Sequence, residues 1–328
     1  MNIRSIMTML TLAVSVTATP VSAAHAEYPE RVITLVVPFA AGGAADVTGR
    51  IIADALTKRL GQTVIVENVA GAGGTTGTTR SANADGDGYT IALGHMGTHA
   101  AAVGLYPKLG YDPKKSFKPL GLVTRSPIIV FARKDLPANT LSEFLNYART
   151  HPGEYSNGHS GAGSISHITC ALFQNVGKFK ATLVPYRGVG PMMNDMLGGN
   201  VDFGCDLVLA VSPQITSGSL KALAVASKER AKAVPNVPTT VEAGLPDFQA
   251  DTWTGLFVPA STPDDIAKKL DTAISESLSD PATAKRLEDL GADVPKADER
   301  GGVFLGKLVD SEIARWSEVI KAADIKAQ

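Results

Sequence analysis

Short apolar runs alternate with helical patterns along this chain, and that alternation restricts the fold more than any other feature. Residues Val32–Val37 read VITLVV, apolar at every position but Thr34, which marks a strand buried on both faces. A glycine-rich turn follows, then Asp46 as the N-cap of a helix. In that helix Val47, Ile51, Ala55, Leu56 and Leu60 recur at helical spacing until Gly61 stops it. Further strands are expected at Thr63–Val66, Tyr89–Leu93, Ile128–Ala132, Thr182–Pro185, Val201–Cys205 and Leu220–Ala226. Helices are expected over Leu141–Arg149, Ser164–Val176, Pro191–Leu197, Pro263–Leu278 and Pro281–Leu290. Strand and helix alternating in this way predict an α/β fold of parallel sheets covered by helices on both faces.

At 328 residues the chain has room for two such units. Two Pro/Gly-marked passages, Pro119–Pro127 and Pro235–Thr254, read as crossings between them. The first domain is then discontinuous, residues 27–122 plus 252–328, and the second spans 123–251, with a ligand cleft between the two lobes. Residues 1–26 read as a signal peptide. They hold one cation (Arg4), an apolar run from Ile6 to Ala18 too short for a bilayer, and Ala24-His25-Ala26 as the cleavage signal. A buried N-terminal helix is the alternative, but the segment holds no acid and exits into Glu27-Tyr28-Pro29. Cleavage after Ala26 and a periplasmic location follow.

Thirty-one basic residues against 32 acidic ones give a net charge of −1, and no basic cluster stands out. Nucleic acid is therefore not an expected partner. Cys170 and Cys205 allow at most one intramolecular disulfide, and two buried thiols are an equally good reading.

Residues 157–167 read NGHSGAGSISH and raise the question of a nucleophile at Ser160. Gly158-His159-Ser160-Gly161-Ala162 is one residue short of the hydrolase elbow G-x-S-x-G, and no histidine lies beyond His167 to complete a triad in chain order. A secreted serine esterase using Ser160 is carried as the alternative function. GAGGTTG at 71–77 puts Thr76 where a dinucleotide fingerprint needs glycine, and no P-loop is present. His95 and His99, four apart, with His159 as a possible third, lack the Glu of a zinc motif and read as structural, so no metal and no cofactor are expected.

What remains is a set of Gly- and hydroxyl-rich turns, each after a strand and before a helix: PFAAGGAAD (38–46), GHMGTHA (94–100), GHSGAGSISH (158–167) and VPYRGVGP (184–191). In an open sheet such turns gather at the carboxyl ends of the strands, where ligands bind. Helix N-termini there offer free N–H donors and a favourable dipole, and Thr98, Ser160 and Ser164 add hydroxyls. Any one loop could be only a tight turn; four together favour an anion site.

At these loops the chain resembles the Bug family, the TctC-like solute-binding proteins of tripartite tricarboxylate transporters. YPERVITLVVPFAAGGAADVTGR, VENVAGAGGTTG, DGYTIALGHMGTHA, LYPKLGYDPKKSFKPLGLV, SGAGSISH, VPYRGVGPMMNDMLGGNVDFGCD, LKALAVASKERAKAVPNVPTTVEAGLPDF and WTGLFVPASTP carry the resemblance over nearly the whole chain after the leader. It implies a two-lobed periplasmic receptor, a monomer, that closes over a small organic acid, a dicarboxylate or aromatic carboxylate, and delivers it to membrane permease subunits. It is no enzyme, and a sensory role would use the same cleft.

Carried over residue by residue, the resemblance places Phe39, Ala40, Ala41 and Gly43 near one carboxylate, with Asp46 capping the helix. Thr98 and His99 face the cleft. Ser160, Gly161, Ala162, Gly163 and Ser164 grip another carboxylate group, and Tyr186, Arg187 and Gly188 lie beside them. Asp206 matches a cleft-edge acid that accepts from a ligand amine or hydroxyl, or else lies at the surface. Two departures bear on the ligand: His159 stands where the family more often has a small residue, and Cys205 where relatives have an aromatic or aliphatic one.

Overall fold

The computed structural model describes residues 28–322 and residue 325. The expected signal peptide and its cleavage point lie outside the described residues.

Three strands, β1 (Ile33–Val37), β2 (Val64–Asn68) and β3 (Thr90–His95), run parallel in the order β2-β1-β3. Helices α1 (Ala44–Leu60), α2 (Thr75–Ala82) and α3 (Ala102–Leu105) connect them onward. Ile33, Leu35, Val36 and Val37 are all buried, which is the two-sided cover that a near-continuous apolar run demands. Gly61 takes the left-handed conformation (φ 67°) that ends α1, as its position after Leu60 suggests.

The chain then enters β4 (Phe117–Arg133), followed by α4 (Leu141–Thr150), β5 (Ser156–His159), α5 (Ile165–Gly177), β6 (Thr182–Pro185) and α6 (Val189–Leu197). Next come β7 (Phe203–Leu207), α7 (Val208–Thr216), β8 (Leu220–Val225) and β9 (Asp251–Pro259), and the chain closes on α8 (Asp264–Ser279), α9 (Pro281–Glu288) and α10 (Gly302–Ala322). The helices α4 and α5, α8 and α9 fall where their periodicity puts them; α2, α3, α7 and α10 are additional.

The sheet is mixed, which corrects the all-parallel expectation. β5 pairs parallel with β6 and β7, but β4 pairs antiparallel with β9, β7 and β8, and β9 is antiparallel to β3. The reason is connectivity: β4 carries the chain out to the second half of the sheet and β9 brings it back, so the two lie side by side in opposite directions. The first expected crossing passage therefore lies within β4, whereas the second is mostly turn and enters β9 only over residues 251–254. Pro119 sits at a register shift of β4, and Pro127 is the last residue paired with β9 before Ile128 begins pairing with β7. A residue with no N–H is tolerated at such points.

Behind β7, Phe144, Phe173, Phe179 and Phe203 form one aromatic cluster, with ring centroids 4.9–6.2 Å apart. A Cys170–Cys205 disulfide ties α5 to β7 across a Cα separation of 5.3 Å, which decides between the two readings of those cysteines.

Candidate functional site

A cavity lies where the carboxyl ends of the strands from both halves of the sheet meet. Four helices begin at its wall. Gly43 is the N-cap of α1, with Ala44 and Ala45 in the first turn, and Ser164 is the N-cap of α5, with Ile165 and Ser166 following. Val189 opens α6, and Leu207 is the N-cap of α7. The first N–H groups of each helix have no partner within it, and the dipoles add positive potential in one place.

The hydroxyls are arranged by local geometry. The Ser166 Oγ lies 2.8 Å from the Ser160 Oγ and 3.1 Å from the Ser164 Oγ, and it accepts the Ser160 N–H at 2.9 Å. The Ser164 Oγ also caps α5 by accepting the His167 N–H at 3.3 Å. From the other half of the sheet come His95 and Thr254, neighbours by the β3–β9 register. The His95 Nδ1 accepts the N–H groups of Gly97 (2.9 Å) and Thr98 (3.3 Å), so its proton resides on Nε2. Burial lowers its pKa to about 4, and the ring is neutral. Phe39 stacks on it at 5.0 Å.

Asp206 lines the same wall. Its Oδ1 accepts the Leu207 N–H at 2.8 Å, while Oδ2 is buried without a partner. Burial pushes the carboxyl up to about 7, with the Leu207 N–H pulling the other way. No lysine or arginine lines this cavity among the described residues.

A second, wider hollow adjoins it, sharing Phe39 and Ser160 and bounded by Ala70–Gly74, Gly161, Ala162, Tyr186 and Arg187. Here the two halves touch. The Tyr106 hydroxyl lies between the carbonyls of Ala72 (3.2 Å) and Ala162, and Gly73 packs on Ala162 so closely that a Cβ there would overlap the carbonyl oxygen. The cleft is closed in this conformation.

The profile of the family described as TctC, tripartite tricarboxylate transporter family receptor, matches residues 48–325. The chain belongs to that family. Among curated relatives it is 38% identical to the UPF0065 protein in the TAR-I ttuE-ttuC' intergenic region of Agrobacterium vitis, covering 95% of this chain and 91% of that one. Among solved structures it is similar to MatC from Rhodopseudomonas palustris with bound malate, at 45% identity and TM-score 0.86 over 89% of this chain and all of the other. The periplasmic binding protein BugD is also similar, at 39% identity and TM-score 0.88 over 92% of this chain and 100% of that one. These are two-lobed solute-binding proteins and not enzymes, and the receptor shares their fold.

In the receptor, Phe39, Ala40, Gly43, Ser160, Ser164 and Asp206 stand on the inner wall, and Gly161, Ala162, Tyr186 and Arg187 on the outer hollow. Ala41 is exposed at the rim, and Gly163 is buried beneath Tyr106. Thr98 and His99 do not face the cleft: a π-turn over Gly97–Ala101 rotates them inward, where both are fully buried. There the Thr98 Oγ1 meets the His99 Nδ1 at 3.0 Å, and His99 stacks on Phe257 at 4.0 Å. His159 is likewise fully buried, beside His167 at 4.7 Å. Asp46 is not the N-cap of α1 but stands in its first turn. Its carboxylate reaches back to the Gly42 N–H (3.0 Å) and binds Asn68 and Arg50.

Eight wall residues were not among the candidate binding residues: Ala44, Ala45, His95, Ile165, Ser166, Val189, Leu207 and Thr254. For Ser166 a signal existed, since it lies two residues after the helix-capping Ser164. The esterase alternative loses its chemistry, because the Ser160 hydroxyl meets Ser166 and no imidazole. Both ring nitrogens of His159 are without a partner, and the His167 Nδ1 accepts from the Gly163 N–H.

Proposed function

We propose that the protein is an extracytoplasmic receptor that encloses a small dicarboxylate or aromatic carboxylate between its lobes and delivers it to a tripartite-type permease. One observation carries this reading: four helix N-termini and three serine hydroxyls converge on a cavity without a cationic side chain. Such a wall suits a carboxylate bound through neutral dipoles. The malate seated in the MatC structure supports the class of ligand. In this reading, residues 27–122 with 252–328 form one lobe and 123–251 the other. The chain is exported with cleavage after Ala26 and acts as a monomer. β4 and β9 are the hinge strands, and closing brings the donors of both lobes onto the ligand.

Thermal unfolding of residues 27–328 against a panel of small carboxylic acids tests it. At a hundredfold excess over Kd a ligand adds about 2.7 kcal/mol, roughly 5–10 °C in Tm for a chain of this size. Ser160→Ala is expected to weaken the responding acid by about 1–2 kcal/mol. Equal shifts with an acid and its amide would defeat the carboxylate assignment.

A further inference from the structure

Asp206 is an anomaly in a cavity built for an anion. It is 4% exposed and lines the cavity; one oxygen is satisfied by its neighbour's N–H, and the other is buried with no partner. An ionised carboxylate in that place would repel the ligand and would lack the hydrogen bonds that a buried charge requires. The groups around it offer no compensating cation. His95, from β3, is neutral; Ser164 and Ser166, from α5, carry no charge; β4 presents Ile129 directly opposite; and Val208 and Leu209 begin α7. Burial lowers the pKa of His159 on β5 and lowers that of His167 on α5 to about 4. Arg187 stands at the outer hollow and not on this wall.

Toward a ligand carboxylate, an unpartnered Oδ2 has one matching state, an O–H that donates; only toward a ligand hydroxyl or ammonium would the ionised form accept. Given the carboxylate-receptor reading of the cavity, on which this rests, we propose that Asp206 meets the ligand as a neutral carboxylic acid. It donates its proton in a hydrogen bond to the ligand's carboxylate, so that binding is coupled to holding one proton. The bond is the short, charge-assisted O–H···O⁻ kind. No covalent bond changes; where Asp206 is ionised before binding, the proton comes from solvent. Asp206 thereby becomes a specificity residue that rejects ligands presenting an ammonium group in place of a carboxylate. It also makes capture stronger in acid surroundings than in alkaline ones.

The sign follows from linkage. A carboxyl raised to about 7 in the free protein is mostly protonated at pH 6 and mostly ionised at pH 8.5, and only the protonated form binds. Malate affinity is therefore expected to fall roughly thirty-fold from pH 6 to 8.5. Calorimetry near pH 8 in two buffers of different protonation enthalpy is expected to show close to one proton taken up per malate. Asp206→Asn keeps a donor that cannot ionise. Its pH profile is expected to be flat and to cross that of the natural chain, with no proton uptake. Asp206→Ala is expected to be flat and weaker throughout.

A natural chain whose malate affinity is level across this range, or whose binding takes up no proton, overturns the proposal while leaving the receptor reading in place. A preference for an amino- or hydroxyl-bearing acid over the unsubstituted diacid, abolished in Asp206→Asn, also overturns it, since an ionised Asp206 would then be accepting. If no carboxylic acid binds any of the three proteins at pH 6, the carboxylate reading itself fails, and this proposal with it.

Discussion

Behind the Pro38–Gly43 turn stand a carboxylate and a guanidinium; behind the His159–Ser164 turn stand neutral hydroxyls, two neutral imidazoles and a disulfide. The first brace faces solvent: Arg50 is half-exposed where it grips Asp46, and Asn68 joins Asp46 to the Phe39 carbonyl at 3.0 Å. The second is dry, with Ser164, Ser166, His159, His167 and Cys170 all essentially buried. Two turns that present similar N–H donors to one cavity are thus held by different physics. What they share is that neither brace places a charge on the cavity wall. An anion there meets dipoles only, apart from the titratable acid at Asp206.

The largest expected effect breaks the dry brace. Replacing Cys170 and Cys205 together by serine opens a link that spans 35 residues, for a loss of about 2–5 kcal/mol. Urea unfolding with and without reductant measures it. The Asp46 side of the cavity should keep its acid sensitivity unchanged in this variant. A difference below about 1 kcal/mol would mean that the aromatic cluster alone holds α5 on β7.

Next comes the place where the two turns meet. Gly73 has φ +63°, and a Cβ on it would lie 1.8 Å from the Ala162 carbonyl oxygen. In Gly73→Ala the closed cleft is sterically blocked, whereas an opened one relieves the clash. Malate affinity is expected to fall by tenfold or more, while the free protein loses only about 1 kcal/mol from the backbone conformation. Gly42→Ala makes the contrast, since it carries the same left-handed backbone cost (φ +89°) while its Cβ would meet nothing within 4 Å. Equal losses of affinity and stability in Gly73→Ala would show that the contact belongs to the fold rather than to closure.

The legibility of these regions in the sequence divides along the same physical lines. The VITLVV run and the α1, α4, α5, α8 and α9 patterns were readable because burial writes itself as periodicity. β4 and β9 were not. Pro119, Gly121 and Pro127 look like breakers, and only the register shifts and the handover from β9 to β7 make room for them. α2 was hidden because its buried face is Gly77, Thr78 and Ser81, small and polar rather than apolar. At the site, the glycine-serine turns announced themselves through capping chemistry. Thr98 and His99 misled because a π-turn adds a residue to the first turn after β3 and both side chains are buried, while His95, the last residue of β3, lines the wall. Such an insertion leaves no mark on hydropathy.

The smallest effect separates the two carboxylates on opposite sides of the cavity. Burial raises the Asp46 carboxyl, but Arg50, the Gly42 N–H and Asn68 more than offset this and hold it below the usual carboxylate range. Its stabilisation is therefore present above the unfolded value of about 3.9 and is lost as pH falls through the lower folded value. Asp206, raised to about 7, runs the other way: its ionisation costs stability as pH climbs from the unfolded value toward the folded one. Asp46→Asn is expected to cost about 1–2 kcal/mol at pH 7, because Arg50 stays solvated and only the charge-assisted bonds weaken. That deficit should shrink toward pH 3, while Asp206→Asn should gain on the natural chain between pH 4 and 7. Urea midpoints for the three proteins at pH 3, 5 and 7 decide it. Parallel curves for the two variants would mean that the ionic brace and the neutral wall are not electrostatically distinct, and the contrast between the turns would reduce to packing.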